Sequence, residues 1–156
     1  MLSIILAAAV CAADQLFKKW IVKNIALGGT MEFLPGIVRL TYVRNTGAAF
    51  SMLRDHPQFL TVLTSLLAVA LIIAIFKMRL SRAEKLCLGA VLGGAVGNII
   101  DRAILGYVVD MFEVEFMNFA VFNVGDCFIV VGGILFCILY FFDSAKSDNT
   151  EKSAEM

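Results

Sequence analysis

Residues 59–76 read FLTVLTSLLAVALIIAIF, an apolar run without one charged side chain. A run of 18 or more such residues is long enough to cross the hydrocarbon layer of a membrane as a helix. A soluble domain of 156 residues has little core in which to hide it. Three further stretches follow the same plan. Residues 2–22 are apolar except for Asp14, Lys18 and Lys19. Residues 86–103 begin with the glycine-rich LCLGAVLGGAVGNII. Residues 124–142, VGDCFIVVGGILFCILYFF, carry Asp126 near their start. Hydrophobic residues make up 60% of the chain, against roughly 45–50% in soluble domains, and the mean hydropathy is +0.88. The expected fold is therefore an all-α membrane protein of four transmembrane helices, forming one integral membrane domain over residues 1–143. The polar segment 144–156, SAKSDNTEKSAEM, is expected to be a disordered tail.

The first apolar stretch is not preceded by Lys or Arg, so it lacks the charged leader of a cleaved signal peptide and is expected to remain as a helix. Basic and acidic residues balance at 13 each. No basic run is interleaved with stacking aromatics, so nucleic acid is not an expected partner. Cys11, Cys87, Cys127 and Cys137 lie in or beside apolar runs, have no CxxC spacing and are expected to be buried free thiols. With a single histidine, His56, no convergent metal-ligand set is expected. No cofactor is expected either.

Between the helices, residues 24–57 carry turn signals at Gly28-Gly29 and Pro35-Gly36. The run IVRLTYVR that follows is rich in β-formers. This points to a small extracytoplasmic sheet, a β-cradle on the membrane surface. A second external loop, residues 104–122, includes MFEVEFMNFAVF, whose alternation suits a strand or an interfacial element. An even number of spans puts both termini on one side. Lys77, Arg79, Arg82, Lys85, Lys146 and Lys152 mark that side as cytoplasmic. Lys18, Lys19, Lys23, Arg39, Arg44, Arg54 and Arg102 lie opposite, so charge alone does not decide; the long first external loop, which translocates despite its charge, tips the reading.

Ionisable residues in spanning segments cost about 2.5–3.5 kcal/mol each at the helix centre, so those present need a reason. On the expected topology, Asp14 with Lys18, Asn98 with Asp101 and Arg102, and Asn123 with Asp126 all fall at one membrane face. Asp14 and Lys18 are four apart and share a helix face; they read equally as a snorkelling pair. Asn98 and Asp101 also share a face and read equally as a helix-end cap. Gly89, Gly93 and Gly97 form a small-residue ridge for close helix packing. Asp110 and Asp126 have no basic neighbour in sequence. Capping and solvation would explain each alone. If brought together they would share a proton. Such a pair activates water with its ionised member and protonates a peptide carbonyl with the other.

These residues carry a resemblance. Asp14-Gln15 with Lys18, Asn45-Thr46-Gly47-Ala48-Ala49-Phe50-Ser51, Gly97-Asn98-Ile99-Ile100-Asp101-Arg102, Val108-Val109-Asp110 and Phe122-Asn123-Val124-Gly125-Asp126 stand in the order of the motif blocks of bacterial lipoprotein signal peptidase, or signal peptidase II. The chain resembles that family from residue 14 to residue 126. The resemblance implies a membrane aspartic endopeptidase with catalytic Asp110 and Asp126. It implies supporting or substrate-binding roles for Asp14, Lys18, Asn45, Gly47, Ala48, Asn98, Asp101, Arg102 and Asn123, and no metal. The implied substrate is a diacylglyceryl-modified prolipoprotein, cut on the amino side of its lipidated cysteine. The implied location is the bacterial cytoplasmic membrane, with the site at the extracytoplasmic face. Membrane lipids are expected partners and a monomer is the expected form, though nothing in the sequence fixes the oligomeric state. Gly125 stands where the family usually has alanine, and Cys127 where serine is common. The first departure is expected to matter little, since both residues are small; a thiol is a weaker hydrogen-bond partner than a hydroxyl. Two other classes fit the composition. A proton or ion pathway would thread its acids through the bilayer, and an assembly subunit would leave the Asn45 block unused.

Overall fold

A computed structural model describes residues 1–47 and 57–154, with the side chains of residues 1–47 and 58–142. Its elements are α1 (Leu2–Asn24), β1 (Thr30–Leu34), β2 (Val38–Asn45), α2 (Pro57–Lys77), α3 (Arg82–Leu105), β3 (Val108–Val114) and α4 (Val124–Ala154). The chain is mostly helical, with one three-stranded sheet in the order β1-β2-β3.

Three of the helices hold windows long and apolar enough to cross a membrane: Gln58–Lys77, Arg82–Leu105 and Val124–Phe142. α1 has comparable length, but Asp14, Lys18 and Lys19 interrupt its apolar character. α3 is the central helix and packs against α1, α2 and α4. Its glycines make this possible. A methyl group on Gly89 or Gly93 would run into the α1 backbone at Ser3 or Ala7, and one on Gly94 into the α4 backbone at Gly125. The ridge read from the sequence therefore serves α1, and Gly94 beside it serves α4. α2 and α4 turn large apolar side chains outward, among them Phe59, Leu66, Ile73, Val130, Ile134 and Phe141. Such a surface suits lipid and not water.

α3 starts four residues earlier than its apolar run. Ser81 and Glu84 form a reciprocal capping box: Ser81 Oγ accepts from the Glu84 N–H, and Glu84 accepts from the Ser81 N–H at 2.6 Å. That bonding lets Glu84 be buried. Gly106, at φ 80°, ends the helix in the left-handed conformation. α4 continues to Ala154, past the expected end at residue 143. The segment expected to be a disordered tail is helical as far as Ala154: it contains no Gly or Pro to stop a helix already running. The cysteines are free, but not fully buried as expected; Cys137 is exposed on the outward face of α4 and the other three are half-buried.

The sheet sits at the C-terminal end of α1. Leu40, Tyr42, Val109 and Met111 bury themselves against Ile21 of that helix and Ile25 just past its end. β1 and β2 pair antiparallel across the Pro35-Gly36 turn, where Gly36 has φ 72°. β2 and β3 also pair antiparallel. Leu40 is opposite Phe112 and Val43 opposite Asp110, so β2 holds one extra residue between them. Bulges of this kind twist a strand and re-aim the side chains beyond them. The residue re-aimed here is Asn45.

Candidate active site

Asp110 lies near the start of β3 and is 1% exposed. Asn45 pairs with Val108 across the sheet, so Asp110 is its diagonal neighbour on the same face. Asn45 Nδ2 donates to Asp110 Oδ2 at 2.8 Å, and Asn123 Nδ2 donates to Asp110 Oδ1 at 2.6 Å. Asp126 is the third residue of α4. Its Oδ1 accepts from Asn98 Nδ2 at 2.9 Å and its Oδ2 from the Asn123 N–H at 3.1 Å.

The three asparagine amides have no freedom to flip. Asn45 Oδ1 accepts from the Gly47 N–H, Asn123 Oδ1 from the Asp126 N–H, and Asn98 Oδ1 from Lys18 Nζ. Each oxygen is committed to a group that can only donate, so each Nδ2 is left to face a carboxylate. Both aspartates are held by donors whose orientation is set elsewhere in the fold.

Asp110 and Asp126 line one cavity of about 450 Å³ together with Asn45, Asn98, Arg102 and Asn123. Phe119, Val121, Phe122, Ile129 and Val130 form its apolar wall. Burial pushes the Asp110 carboxyl up to about 7, and the charge of Asp126 pushes in the same direction. The hydrogen bonds from Asn123 and Asn45 and the charge of Lys18 oppose the rise without cancelling it. Two carboxyl groups on one cavity, one buried and poised near neutrality and the other half-buried, are equipped for general acid–base chemistry.

Behind the cavity lies a buried ion cluster. Lys18 Nζ is 2.7 Å from Asp14 Oδ2 and 3.1 Å from Asp101 Oδ2. Each acid also binds backbone: Asp14 Oδ1 accepts the Gly125 N–H at 2.8 Å, and Asp101 Oδ2 the Val109 N–H at 3.0 Å. The first bond places a carboxylate on the positive N-terminus of α4; the second holds β3 beside Asp110. Asp14, Lys18 and Asp101 are absent from the cavity wall. Arg102 lines the cavity and donates from Nη2 to the Gly47 carbonyl at 3.1 Å. Its buried Nε has no hydrogen-bond partner among the described residues. Ala48 and His56 lie outside the described residues. Among the described residues, no group of three or more His, Cys, Asp or Glu side chains is arranged to hold a metal ion.

Gln15 was absent from the expected site. Its Nε2 donates to Asp101 Oδ1 at 2.8 Å and to the Gly97 carbonyl at 3.1 Å. Its place beside Asp14 in the first motif block was the available signal. The expectation for Gly125 also needs correcting: a Cβ there would lie 2.8 Å from the Gly94 carbonyl oxygen. In this chain alanine would force the helices apart.

Residues 6–142 match the family described as signal peptidase (SPase) II. The chain belongs to the signal peptidase II family. A lipoprotein signal peptidase of Streptococcus pyogenes serotype M2 is 46% identical over 139 residues, covering 88% of this chain and 90% of the relative. That of serotype M5 is 45% identical over the same shares. Two solved structures of bacterial membrane enzymes are similar in fold. One has a TM-score of 0.87 at 29% identity, covering 92% of this chain and 90% of the other. The second has a TM-score of 0.81 at 30% identity, covering 88% and 91%. Signal peptidase II enzymes are membrane aspartic peptidases that process prolipoproteins. The membrane fold and the paired carboxyl groups of this chain agree with that chemistry.

Proposed function

We propose that Asp110 and Asp126 are the catalytic pair of this peptidase. The observation that carries the reading is their convergence from different elements on one cavity, bound to the same residue, Asn123. In this mechanism a water lies between the carboxyl groups. The ionised member takes its proton as the oxygen attacks the scissile carbonyl, and the protonated member donates to the carbonyl oxygen. Arg102 Nε, which has no hydrogen-bond partner among the described residues, is the donor this reading assigns to the substrate backbone.

The substrate of this reading is a prolipoprotein whose cysteine carries diacylglycerol, cut on the amino side of that cysteine. The apolar wall formed by Phe119, Val121 and Val130 suits a lipid-anchored chain at the mouth of a membrane site. We take α1 as a fourth span, since Asp14 and Lys18 are paired and turned onto α3. One membrane domain then covers residues 1–143, with both termini cytoplasmic. Asn98 lies 16 residues along α3 from Arg82. At 1.5 Å per residue this is about 24 Å from the basic 77–85 connection, nearly the thickness of the hydrocarbon layer. With that connection cytoplasmic, the site opens at the extracytoplasmic face of the cytoplasmic membrane, under the β-cradle. We take a monomer as the working unit.

The test is turnover of a diacylglyceryl-modified precursor against its unlipidated form by the purified enzyme. Asp110→Asn and Asp126→Asn are each expected to cost about 10²–10⁴-fold in rate while remaining folded. Retained turnover in either variant removes that residue from the pair. Equal cleavage of both precursors removes the lipid requirement.

A further inference from the structure

The two aspartates do not have equal surroundings. Asp110 accepts from two neutral amides, Asn45 and Asn123. Asp126 accepts from a backbone N–H at the start of a helix and from Asn98, whose other end accepts from the Lys18 ammonium at 2.8 Å. Lys18 is 2% exposed and stays fixed between Asp14 and Asp101. A cation on the amide oxygen draws electron density from the Nδ2 group and strengthens its donation to Asp126. Among the described residues, the charged or titratable groups that interact with Asp126 are Arg102 on α3, Asp110 on β3 and Cys127 on α4, with Asp101 on α3 and Asp14 on α1 acting in turn on Arg102 and Cys127. The charge of Lys18 also reaches Asp110 and favours its ionised form, but only Asp126 is joined to Lys18 by a single intervening side chain, Asn98.

We propose that Lys18 is a positioning residue for the hydrolysis: through the Asn98 amide it fixes Asp126 as the ionised base and leaves the shared proton of the pair on Asp110. This rests on Asp110 and Asp126 being the catalytic pair. The O–H bond of water breaks with its proton going to Asp126 and a C–O bond forming at the scissile carbon. Asp110 gives its proton to the carbonyl oxygen. On collapse the C–N bond breaks, the amine leaves with the proton from Asp126, and Asp110 recovers its own from the oxygen. No other reactant is needed.

The test compares pH–rate profiles of full-length wild type, Lys18→Met, Lys18→Arg and Asn98→Ala, with diacylglyceryl-modified precursor as substrate. Removing the cation or the amide weakens the donation that holds the Asp126 carboxylate, and is expected to lower kcat and move the acidic limb of the profile up by about one pH unit. KM is expected to hold, since Lys18 does not line the cavity. Lys18→Arg, which keeps the charge, is expected to keep the limb near its wild-type position. Lys18→Met leaves Asp14 and Asp101 without their cation; should it fail to fold, Lys18→Gln, which removes the charge and keeps a donor between the two acids, takes its place, and an unmoved limb in it counts in the same way. An unmoved limb in a folded Lys18→Met or Asn98→Ala enzyme overturns the proposal. Asp110→Asn and Asp126→Asn run alongside: turnover in either defeats the catalytic pair itself, whereas two inactive variants with an unmoved limb defeat only the role of Lys18.

Discussion

Asn123 and Asp126 cap each other. Asn123 Oδ1 accepts the Asp126 N–H at 2.9 Å, and Asp126 Oδ2 accepts the Asn123 N–H at 3.1 Å. This is the reciprocal geometry of a capping box with Asn and Asp in place of the usual Ser/Thr and Glu. The device that starts α4 therefore also orients one carboxylate of the site. The Nδ2 of Asn123 reaches the other, so helix start and pair geometry depend on one fully buried side chain.

Substitution at 123 separates these two jobs. Asn123→Ala loses the cap, at about 0.5–2 kcal/mol, and withdraws a donor from Asp110. Asn123→Ser restores an acceptor for the Asp126 N–H but is too short to reach Asp110. Thermal unfolding in detergent is expected to show the serine variant recovering most of the stability lost by alanine. Its kcat is expected to stay depressed. Full recovery of turnover by serine would show that the bond to Asp110 is dispensable.

Glycine tolerance along α3 and α4 is expected to follow backbone distance. A methyl at position 94 meets the Gly125 carbonyl, whereas one at position 133 meets nothing within 4 Å. Gly94→Ala is expected to cost about 1–3 kcal/mol as an overpacked contact. It should also reduce activity, because moving Gly125 pulls its N–H from Asp14. Gly133→Ala is expected to be neutral or to gain up to about 1 kcal/mol of helix propensity. Midpoints of unfolding for the two variants check this; similar losses at both positions would contradict it.

What the sequence exposed was local. The apolar lengths marked the helices, and the spacing of Asp14 and Lys18 put both on one face, where the structure pairs them. The Ser81–Glu84 box was legible too, yet an apolar-run criterion passes over a helix start made of polar residues. What stayed hidden joins distant parts of the chain. Lys18 reaching Asp101 depends on how α1 meets α3, and Asp14 reaching the Gly125 N–H depends on α4. Backbone donors have no residue-type signature, so Val109 and Gly125 as anchors were invisible. The same holds for the extra residue in β2 that aims Asn45, since a bulge is a property of pairing and not of either strand alone.

The raised Asp110 carboxyl makes stability depend on pH in a defined direction. Its value moves from 3.8 for an unperturbed aspartate to about 7 in the fold, chiefly through burial and then through Asp126. Between those values the native state holds a proton that the unfolded chain has released. Stability then falls as pH rises, because the unfolded state binds fewer protons. The effect begins near the unperturbed value and is complete above about 7. It amounts to a few kcal/mol, at about 1.4 kcal/mol per unit. Asp110→Asn has no such titration. Unfolding of wild type and Asp110→Asn in the same detergent from pH 5 to 8 is therefore expected to show wild type losing ground steadily against the variant as pH increases. A constant difference across that range would mean that Asp110 is not buried in its protonated form, and the acid role assigned to it would go with it.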